Sequence, residues 1–207
     1  MGAGKSIEGL YAIIDSSYLK IGDMEKAAVK ILEGGAKIIQ LRAKDFGSND
    51  MLEAAMFLKT AAQKYNAIFI MNDRIDIAML SGADGVHLGQ DDIPVTEARK
   101  LLGNKIIGIS THDPKEATEA EAQGADYISF GPIFATKTKK DAQTPRGIEY
   151  LKEIRKAVTL PIAAIGGITE GNMKEVLLAG ADSVAIISDI LTNADPKAKT
   201  ASIIRHI

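Results

Sequence analysis

The tripeptide Gly124-Ala125-Asp126, followed by the apolar run Tyr127-Ile128-Ser129-Phe130, joins the end of a helical pattern to a short strand pattern. Glycine can adopt the left-handed conformation that ends a helix, and the residues after it turn into a sheet. Similar tripeptides occur three more times, at Gly35-Ala36-Lys37, Gly82-Ala83-Asp84 and Gly180-Ala181-Asp182. The recurrence indicates a repeated helix-to-strand junction within strand–helix units rather than a solenoid.

Strand patterns alternate with helical patterns along the whole chain. Eight apolar-rich runs are predicted as strands, at residues 10–15, 37–41, 67–71, 85–88, 105–110, 126–130, 161–165 and 183–187. Short runs that are apolar on both faces are typical of buried parallel strands. Between them, apolar residues recur at helical spacing, as at Met24, Ala27, Ala28, Ile31 and Leu32.

The number of units predicts an α/β fold built as one (β/α)8 TIM barrel. Eight units in 207 residues average about 26 residues each, the small end of the range for such barrels. We predict a single domain over residues 1–207, with residues 1–8 as a flexible N-terminus. A doubly wound open sheet would usually hold fewer strands and needs a glycine-rich first turn, whereas Asp15-Ser16-Ser17 follows the first strand.

The composition excludes several classes of function. The 25 Lys and Arg residues against 27 Asp and Glu residues give a net charge of −2, without the cationic field of a non-specific nucleic-acid binder. No run approaches the roughly 18 consecutive apolar residues that a membrane span needs. The absence of cysteine excludes disulfides and thiolate zinc sites and fits a cytoplasmic protein. We expect small-molecule partners, no nucleic acid and no membrane; a homo-oligomer is left open.

Two acidic residues follow neighbouring strands of the predicted barrel. Active sites of such barrels form at the carboxyl ends of the strands, and adjacent strands lie about 4.8 Å apart. Asp73 and Asp92 could therefore converge on one cation. A carboxylate pair completed by water and substrate phosphate suits Mg²⁺. Alternatively, both acids cap the helices that follow them.

Basic residues lie at the same predicted mouth. Arg42 and Lys44 leave the second strand at alternate positions, and Lys137, Lys139 and Lys140 follow the sixth strand in a threonine-rich loop. Arginine grips a phosphate group through two hydrogen bonds, and lysine meets it as a point charge. The loop 131–146 is long for a compact domain, which predicts a lid over a phosphorylated substrate unless it is only a solvated basic loop.

A second phosphate site is predicted after the last two strands. Gly166-Gly167-Ile168-Thr169 opens a helix, and Ile187-Ser188 ends the eighth strand. Many barrels bind phosphate at this place through backbone N–H groups, although a strand-to-helix turn that needs glycine leaves the same pattern. His87 alternates with apolar residues and is predicted to be a hydrogen-bonded packing residue, whereas His112 could reach the mouth.

In chain order, these motifs resemble the thiamine phosphate synthase family. The resemblance spans about residues 10–188 and rests on Gln40-Leu41-Arg42-Ala43-Lys44, Asn72-Asp73, His87-Leu88-Gly89-Gln90-Asp91-Asp92, Gly108-Ile109-Ser110-Thr111-His112, Gly131-Pro132, Thr136-Lys137-Thr138-Lys139-Lys140-Asp141, Gly166-Gly167-Ile168 and Ile187-Ser188. It implies a (β/α)8 barrel that joins hydroxymethylpyrimidine diphosphate to thiazole phosphate, giving thiamine phosphate and pyrophosphate with one Mg²⁺ per subunit.

The resemblance also implies residue roles. The pyrimidine diphosphate would contact Gln40, Leu41, Arg42, Ala43, Lys44, Asn72, Ser110 and Lys139. The thiazole phosphate would contact Thr136, Lys137, Thr138, Gly167, Ile187 and Ser188. Asp73 and Asp92 would hold the metal, and the catalytic residues would be Arg42, Lys44, Ser110 and Lys139.

One residue departs from the family pattern, and two alternative functions are compatible with the barrel. Asp189 stands where small residues are common in the family; a carboxylate facing the phosphate would weaken its binding, so we expect it to point away. A thiazole tautomerase of the same barrel type would rely on a histidine, for which His112 is available. A non-catalytic phosphate-ligand binder is the other alternative. The presence of Arg42, Lys44 and both acids favours the synthase.

Overall fold

The computed structural model describes residues 6–136, 138 and 144–207, which form a closed barrel of eight parallel strands. The strands are β1 (Gly9–Asp15), β2 (Ile38–Arg42), β3 (Ile68–Asn72), β4 (Gly85–Leu88), β5 (Ile106–Thr111), β6 (Tyr127–Phe130), β7 (Ile162–Ile165) and β8 (Ser183–Ile186). The helices are α1 (Ile21–Glu33), α2 (Ser48–Lys64), α3 (Ile75–Ser81), α4 (Val95–Leu102), α5 (Pro114–Ala122), α6 (Gly147–Ala157), α7 (Met173–Leu178), α8 (Ser188–Leu191) and α9 (Pro196–Arg205).

The barrel prediction is confirmed. Each predicted strand lies within one residue of the observed strand at both ends. Pairing of β1 with β8 closes the sheet, which excludes the doubly wound alternative. The apolar stripe predicted for α1 is buried at all five positions. Within the described residues, no helix is both long enough and apolar enough to cross a membrane.

The aspartates of the glycine-alanine-aspartate junctions fasten the amino ends of neighbouring strands. Asp84, Asp126 and Asp182 accept hydrogen bonds from the backbone N–H groups of Phe69, Ile107 and Ile162, at 2.9, 2.7 and 2.8 Å. Each carboxylate also pairs with a basic side chain, Lys59, Arg99 or Arg155 respectively. The junction therefore does more than end a helix, because at β4, β6 and β8 it ties the strand to the odd-numbered strand before it.

We expect Asp84→Ala to lower the free energy of unfolding by about 1–3 kcal/mol, because the N–H of Phe69 and the ammonium of Lys59 both lose a charged acceptor. Urea denaturation measures this change. The control is Glu149→Ala, which removes an exposed pair with Lys152 and should cost less than about 1 kcal/mol. Equal stability of the two variants would contradict the fastening role of Asp84.

One glycine is required inside the barrel by the close approach of a neighbouring ring. A Cβ atom on Gly108 of β5 would lie 2.0 Å from the ring of Tyr127 on β6. Tyr127 is fully buried, so its ring has no space to move aside. The absence of a side chain at Gly108 thus leaves room for the ring of Tyr127, whose hydroxyl lies within hydrogen-bond distance of Tyr11 and His87.

Candidate active site

Two adjacent cavities lie at the carboxyl ends of the strands and share a wall. The first, the charged cavity, is lined by residues that include Gln40, Arg42, Lys44, Asn72, Asp73 and Asp92. The second, the hydroxyl cavity, is lined by residues that include Thr136, Thr138, Gly166, Gly167, Thr169 and Ser188. Both are lined by Ser110, Ser129, Ile165, Ala185 and Ile187. The structure therefore brings most of the predicted site residues to one mouth.

A buried carboxylate orients Arg42 in the charged cavity. Asp15 ends β1 and stands beside Arg42 of β2 in the strand register. The Nη1 atom of Arg42 donates to Oδ2 of Asp15 at 2.8 Å, and the backbone N–H of Ser17 donates to Oδ1 at 2.8 Å. The carboxylate of Asp15 is wholly buried. The Arg42 guanidinium is therefore fixed through its Nη1 atom by Asp15, while the side chain lines the cavity.

The two predicted metal ligands face each other next to Lys44. Oδ2 of Asp73 lies 3.2 Å from Nζ of Lys44, and Oδ2 of Asp92 accepts a hydrogen bond from the N–H of Gly89 at 2.7 Å. Burial raises the pKa of Asp92 above its ordinary value; the Asp73 carboxylate adds to the rise, whereas the Gly89 N–H and Lys44 oppose it. The paired negative charges would be relieved by a bound cation.

The two carboxylates suit Mg²⁺ better than they suit a metal ion that takes all its ligands from the protein. Over residues 6–136, 138 and 144–207, no group of three or more His, Cys, Asp or Glu side chains could hold a metal ion. Asp73 and Asp92 offer two oxygen-bearing carboxylates, and Mg²⁺ commonly binds one or two carboxylates and keeps water and phosphate as its other ligands. The residues present therefore fit the implied ion.

The alternative in which both acids cap helices is wrong. The N-cap positions of α3 and α4 belong to Arg74 and Pro94. Asp73 instead adopts a left-handed backbone conformation, with φ of 61°, just after β3. Such conformations are uncommon for residues other than glycine and cluster at functional sites.

A chain of hydrogen bonds crosses the interior of the barrel beneath the charged cavity. Gln40 Nε2 donates to the hydroxyl of Tyr11 at 2.8 Å, and this hydroxyl lies 2.8 Å from that of Tyr127. Nδ1 of His87 lies 2.9 Å from the Tyr127 hydroxyl, and its Nε2 lies 3.0 Å from Oγ of Ser110. His87 is therefore the hydrogen-bonded residue that the sequence predicts, and it also lines the cavity.

The protonation of the two tyrosines restricts the donor and acceptor directions along this chain of hydrogen bonds. Burial raises the pKa of both Tyr11 and Tyr127 well above the ordinary value, so both hydroxyls keep their protons. If Tyr11 donates to Tyr127, then Tyr127 donates to His87, and His87 donates to Ser110. In the reverse order, Ser110 donates to His87. The tautomer of His87 thus sets whether Ser110 offers a proton or a lone pair to a ligand.

The hydroxyl cavity is closed on one side by the segment that follows β6. A Cβ atom on Gly167 would lie 2.5 Å from the carbonyl oxygen of Ala135, and Gly167 has a φ of 64°, so only glycine suits this position. The N–H of Thr138 donates to Oγ1 of Thr136 at 3.3 Å, and Oγ1 of Thr138 lies 2.9 Å from the hydroxyl of Tyr18. These contacts bring both threonines to the mouth.

Several predicted site residues are not among those that line the cavities. Leu41 and Ala43 are buried at positions of the β2 segment that alternate with the cavity-lining residues Gln40 and Arg42, so their ligand contacts stay a prediction. The predicted ligand contacts Lys137 and Lys139 lie outside the described residues, as do Lys140 and Asp141 of the same predicted loop.

A comparison with protein families decides where the chain belongs. The family model described as thiamine monophosphate synthase matches residues 10–190. The chain belongs to the thiamine monophosphate synthase family. Two curated relatives named thiamine-phosphate synthase agree with this membership. The protein from Shouchella clausii is 45% identical, with 94% of each chain covered, and that from Clostridium novyi is 46% identical, with 90% of this chain and 92% of the relative covered.

A solved structure also agrees with this membership. The thiamine phosphate pyrophosphorylase from Pyrococcus furiosus superposes with a TM-score of 0.89 at 37% identity, covering 96% of this chain and 94% of that one. The barrel is thus that of a thiamine monophosphate synthase family member, and the resemblance inferred from the motifs is confirmed.

The sequence of this thiamine monophosphate synthase family member does not reveal the roles of three polar residues beside the site. Tyr11, Asp15 and Tyr127 lie in predicted strands, and each forms a hydrogen bond with a residue that lines the charged cavity. The role of Tyr11 could have been predicted from the alternation of side chains along a strand, because every second residue points to the same face. Tyr11 and Asp15 lie four residues apart on β1, and both line the charged cavity.

Proposed function

We propose that the chain is a thiamine-phosphate synthase, a transferase that joins 4-amino-2-methyl-5-(diphosphooxymethyl)pyrimidine to 4-methyl-5-(2-phosphoethyl)thiazole. The products are thiamine phosphate and pyrophosphate. Family membership and the names of the relatives support the reaction. The observation that carries the proposal is the pair of cavities with a common wall, one charged and one rich in hydroxyl groups, because a reaction between two phosphorylated substrates needs adjacent sites.

The charged cavity suits the diphosphate. Arg42 presents its guanidinium from a fixed position because Asp15 holds Nη1, and Lys44 adds a second positive charge at the rim. Asp73 and Asp92 would hold Mg²⁺, which would neutralise the negative charge that gathers on the departing pyrophosphate. Gln40, Asn72 and Ser110 would bind the pyrimidine diphosphate, and Lys139 would add a further charge. Basic and polar side chains that are already in position around the departing pyrophosphate stabilise its growing negative charge, which lowers the activation free energy.

The bond changes need no proton transfer by a side chain. The bond between the pyrimidine methylene carbon and the diphosphate oxygen breaks, and its electron pair leaves with the oxygen. The lone pair of the thiazole nitrogen then forms the new carbon–nitrogen bond, and the aminopyrimidine carries the positive charge in between. The thiazole phosphate would be held beside the methylene carbon by Thr136, Lys137, Thr138, Gly167, Ile187 and Ser188. Such positioning lowers the activation free energy, because the entropy of bringing the two substrates together has already been lost on binding.

The tautomerase alternative would leave the charged cavity without a role. His112 lines the hydroxyl cavity, and Glu116 orients it, because Oε2 of Glu116 lies 2.9 Å from Nδ1 and accepts the backbone N–H of His112 at 2.7 Å. The charged cavity has no use in an isomerisation of a monophosphate. The tautomerase and the non-catalytic binder therefore serve as the competing outcomes of the test.

The test mixes both substrates with Mg²⁺ and measures pyrophosphate and thiamine phosphate. We expect equal amounts of the two products, no product when either substrate is left out, and loss of turnover when a chelator removes the metal. Isomerisation of the thiazole substrate without pyrophosphate would identify a tautomerase. Binding of either substrate without any reaction would identify a binder, and both results would contradict the proposal.

A further inference from the structure

A three-residue ionic bridge lies behind the hydroxyl cavity. Nζ of Lys199, on α9, lies 2.9 Å from Oε2 of Glu170 and 3.0 Å from Oδ2 of Asp189. Oδ2 of Asp189 also accepts the backbone N–H of Glu170 at 2.9 Å. The Lys199 side chain is only 15% exposed. One ammonium group therefore joins the segment after β7 to the first turn of α8.

The charge of Lys199 is firmly maintained in this bridge. Burial alone would lower its pKa, but the contacts with Glu170 and Asp189 outweigh burial and hold the pKa above the ordinary value. The pKa of Glu170 is lowered, first by the hydroxyl of Ser202 and then by Lys199. The bridge thus consists of one cation between two anions.

Both anchors of the bridge are close in sequence to residues of the hydroxyl cavity. Asp189 directly follows Ser188, and Glu170 directly follows Thr169, both of which line that cavity. Asn172 holds the same loop, since its Nδ2 donates to the carbonyl of Gly167 at 3.0 Å and its Oδ1 accepts the N–H of Thr169 at 2.8 Å. The two halves of the cavity wall are thus joined directly, by the bond from the Glu170 N–H to Asp189, and through the ammonium group of Lys199.

The bridge also accounts for Asp189, the residue that departs from the family pattern. Its carboxylate engages Lys199 and the N–H of Glu170, and Asp189 is not among the residues that line either cavity in the described chain. Without Lys199, Asp189 would lose this ion pair, and Glu170 would keep its contact with His206 at the end of α9, whose Nδ1 lies 3.2 Å from Oε1. A phosphate monoester would then meet both a looser wall and a more negative field.

We infer that Lys199 is a positioning residue for the phosphate-monoester substrate, acting from outside the cavity by joining Glu170 and Asp189. This inference rests on the proposed function, because it assigns the hydroxyl cavity to the thiazole phosphate. Lys199 touches no reacting atom, so its effect should fall on binding of one substrate and leave the chemical step unchanged.

The experiment compares Lys199→Met with the wild type in two measurements. Calorimetry with the thiazole phosphate alone is expected to show a Kd about tenfold higher, equivalent to about 1.4 kcal/mol. In steady-state assays, KM for the thiazole phosphate should rise similarly, whereas KM for the pyrimidine diphosphate and kcat should stay within about twofold of the wild type. Lys199→Arg keeps the charge and the donors and should restore binding.

The matched control is Lys197→Met on the same helix. Nζ of Lys197 lies 3.0 Å from Oε2 of Glu33 on α1, away from the cavity wall, and its side chain is 53% exposed. It should leave both KM values unchanged. If Lys199→Met does not fold, Glu170→Gln breaks one arm of the same bridge and is expected to raise KM for the thiazole phosphate alone, by less than Lys199→Met, because it loosens the wall without adding negative charge.

The outcomes separate this inference from the proposed function. Equal thiazole phosphate binding by the wild type, Lys199→Met and Glu170→Gln would overturn the inference and leave the synthase assignment intact. Equal rises in both KM values would also overturn it, because that result indicates a general loss of structure. Failure of the wild type to bind thiazole phosphate would overturn the synthase assignment and the inference together.

Discussion

Asp73→Asn is expected to lower kcat by at least about tenfold, or about 1.4 kcal/mol of transition-state stabilisation. The substitution keeps the size of the side chain but removes one of two carboxylates that would hold Mg²⁺, and it removes the partner of Lys44. The Mg²⁺ concentration needed for half-maximal rate should rise at the same time. Pyrophosphate release measured over a series of Mg²⁺ concentrations checks both effects.

Lys139→Ala is expected to lower kcat by a similar factor, without the shift in Mg²⁺ dependence.

The control for the metal site is Asp50→Asn, which changes an exposed carboxylate in the first turn of α2. Its rate and Mg²⁺ dependence should match the wild type. Near-normal turnover of Asp73→Asn at low Mg²⁺ would refute the assignment of the carboxylate pair to the metal.

Asp15→Ala is expected to lower the free energy of unfolding by about 3 kcal/mol, because it leaves the largely buried guanidinium of Arg42 without its counter-charge. The side chain of Arg42 is only 12% exposed, so water can replace little of the lost interaction. The KM for the pyrimidine diphosphate should also rise, since Arg42 loses the contact that orients it. Urea denaturation and steady-state kinetics measure the two effects.

Asp76→Ala provides the comparison for Asp15. Asp76 pairs with Arg74 through an exposed contact of 2.5 Å, and such pairs contribute at most about 1 kcal/mol. If both variants lost the same stability, the buried pair at Arg42 would have no special importance for folding.

Much of the fold could be predicted because its signals are local. Strands buried on both faces form continuous apolar runs, and Gly82, Gly124 and Gly180 mark helix ends through positive φ angles. Polar residues that directly follow strands were also predictable as neighbours, because the carboxyl ends of all strands meet at one mouth. Asp73 and Asp92 are the clearest case, since their pairing follows from the order of β3 and β4 alone.

The contacts that orient those residues were not predictable, because they depend on side-chain packing between distant segments. In the sequence, Tyr127 is an ordinary strand residue. The position of its hydroxyl depends on the packing of its ring against Gly108 of the neighbouring strand, which the sequence does not show. Lys199 belongs to a helix whose docking against the loop after β7 has no local sequence signal. The glycines of the repeated junctions predict helix ends, whereas the bonds from the junction aspartates to Phe69, Ile107 and Ile162 depend on the register of neighbouring strands.

The fastening by Asp84, Asp126 and Asp182 lies at the amino ends of the strands, opposite to the mouth. A change at these three carboxylates should therefore alter heat tolerance without reshaping the cavities, whereas Asp15, at the mouth, couples heat tolerance to substrate binding through Arg42. Engineering of the barrel for another working temperature is thus best begun at the three aspartates.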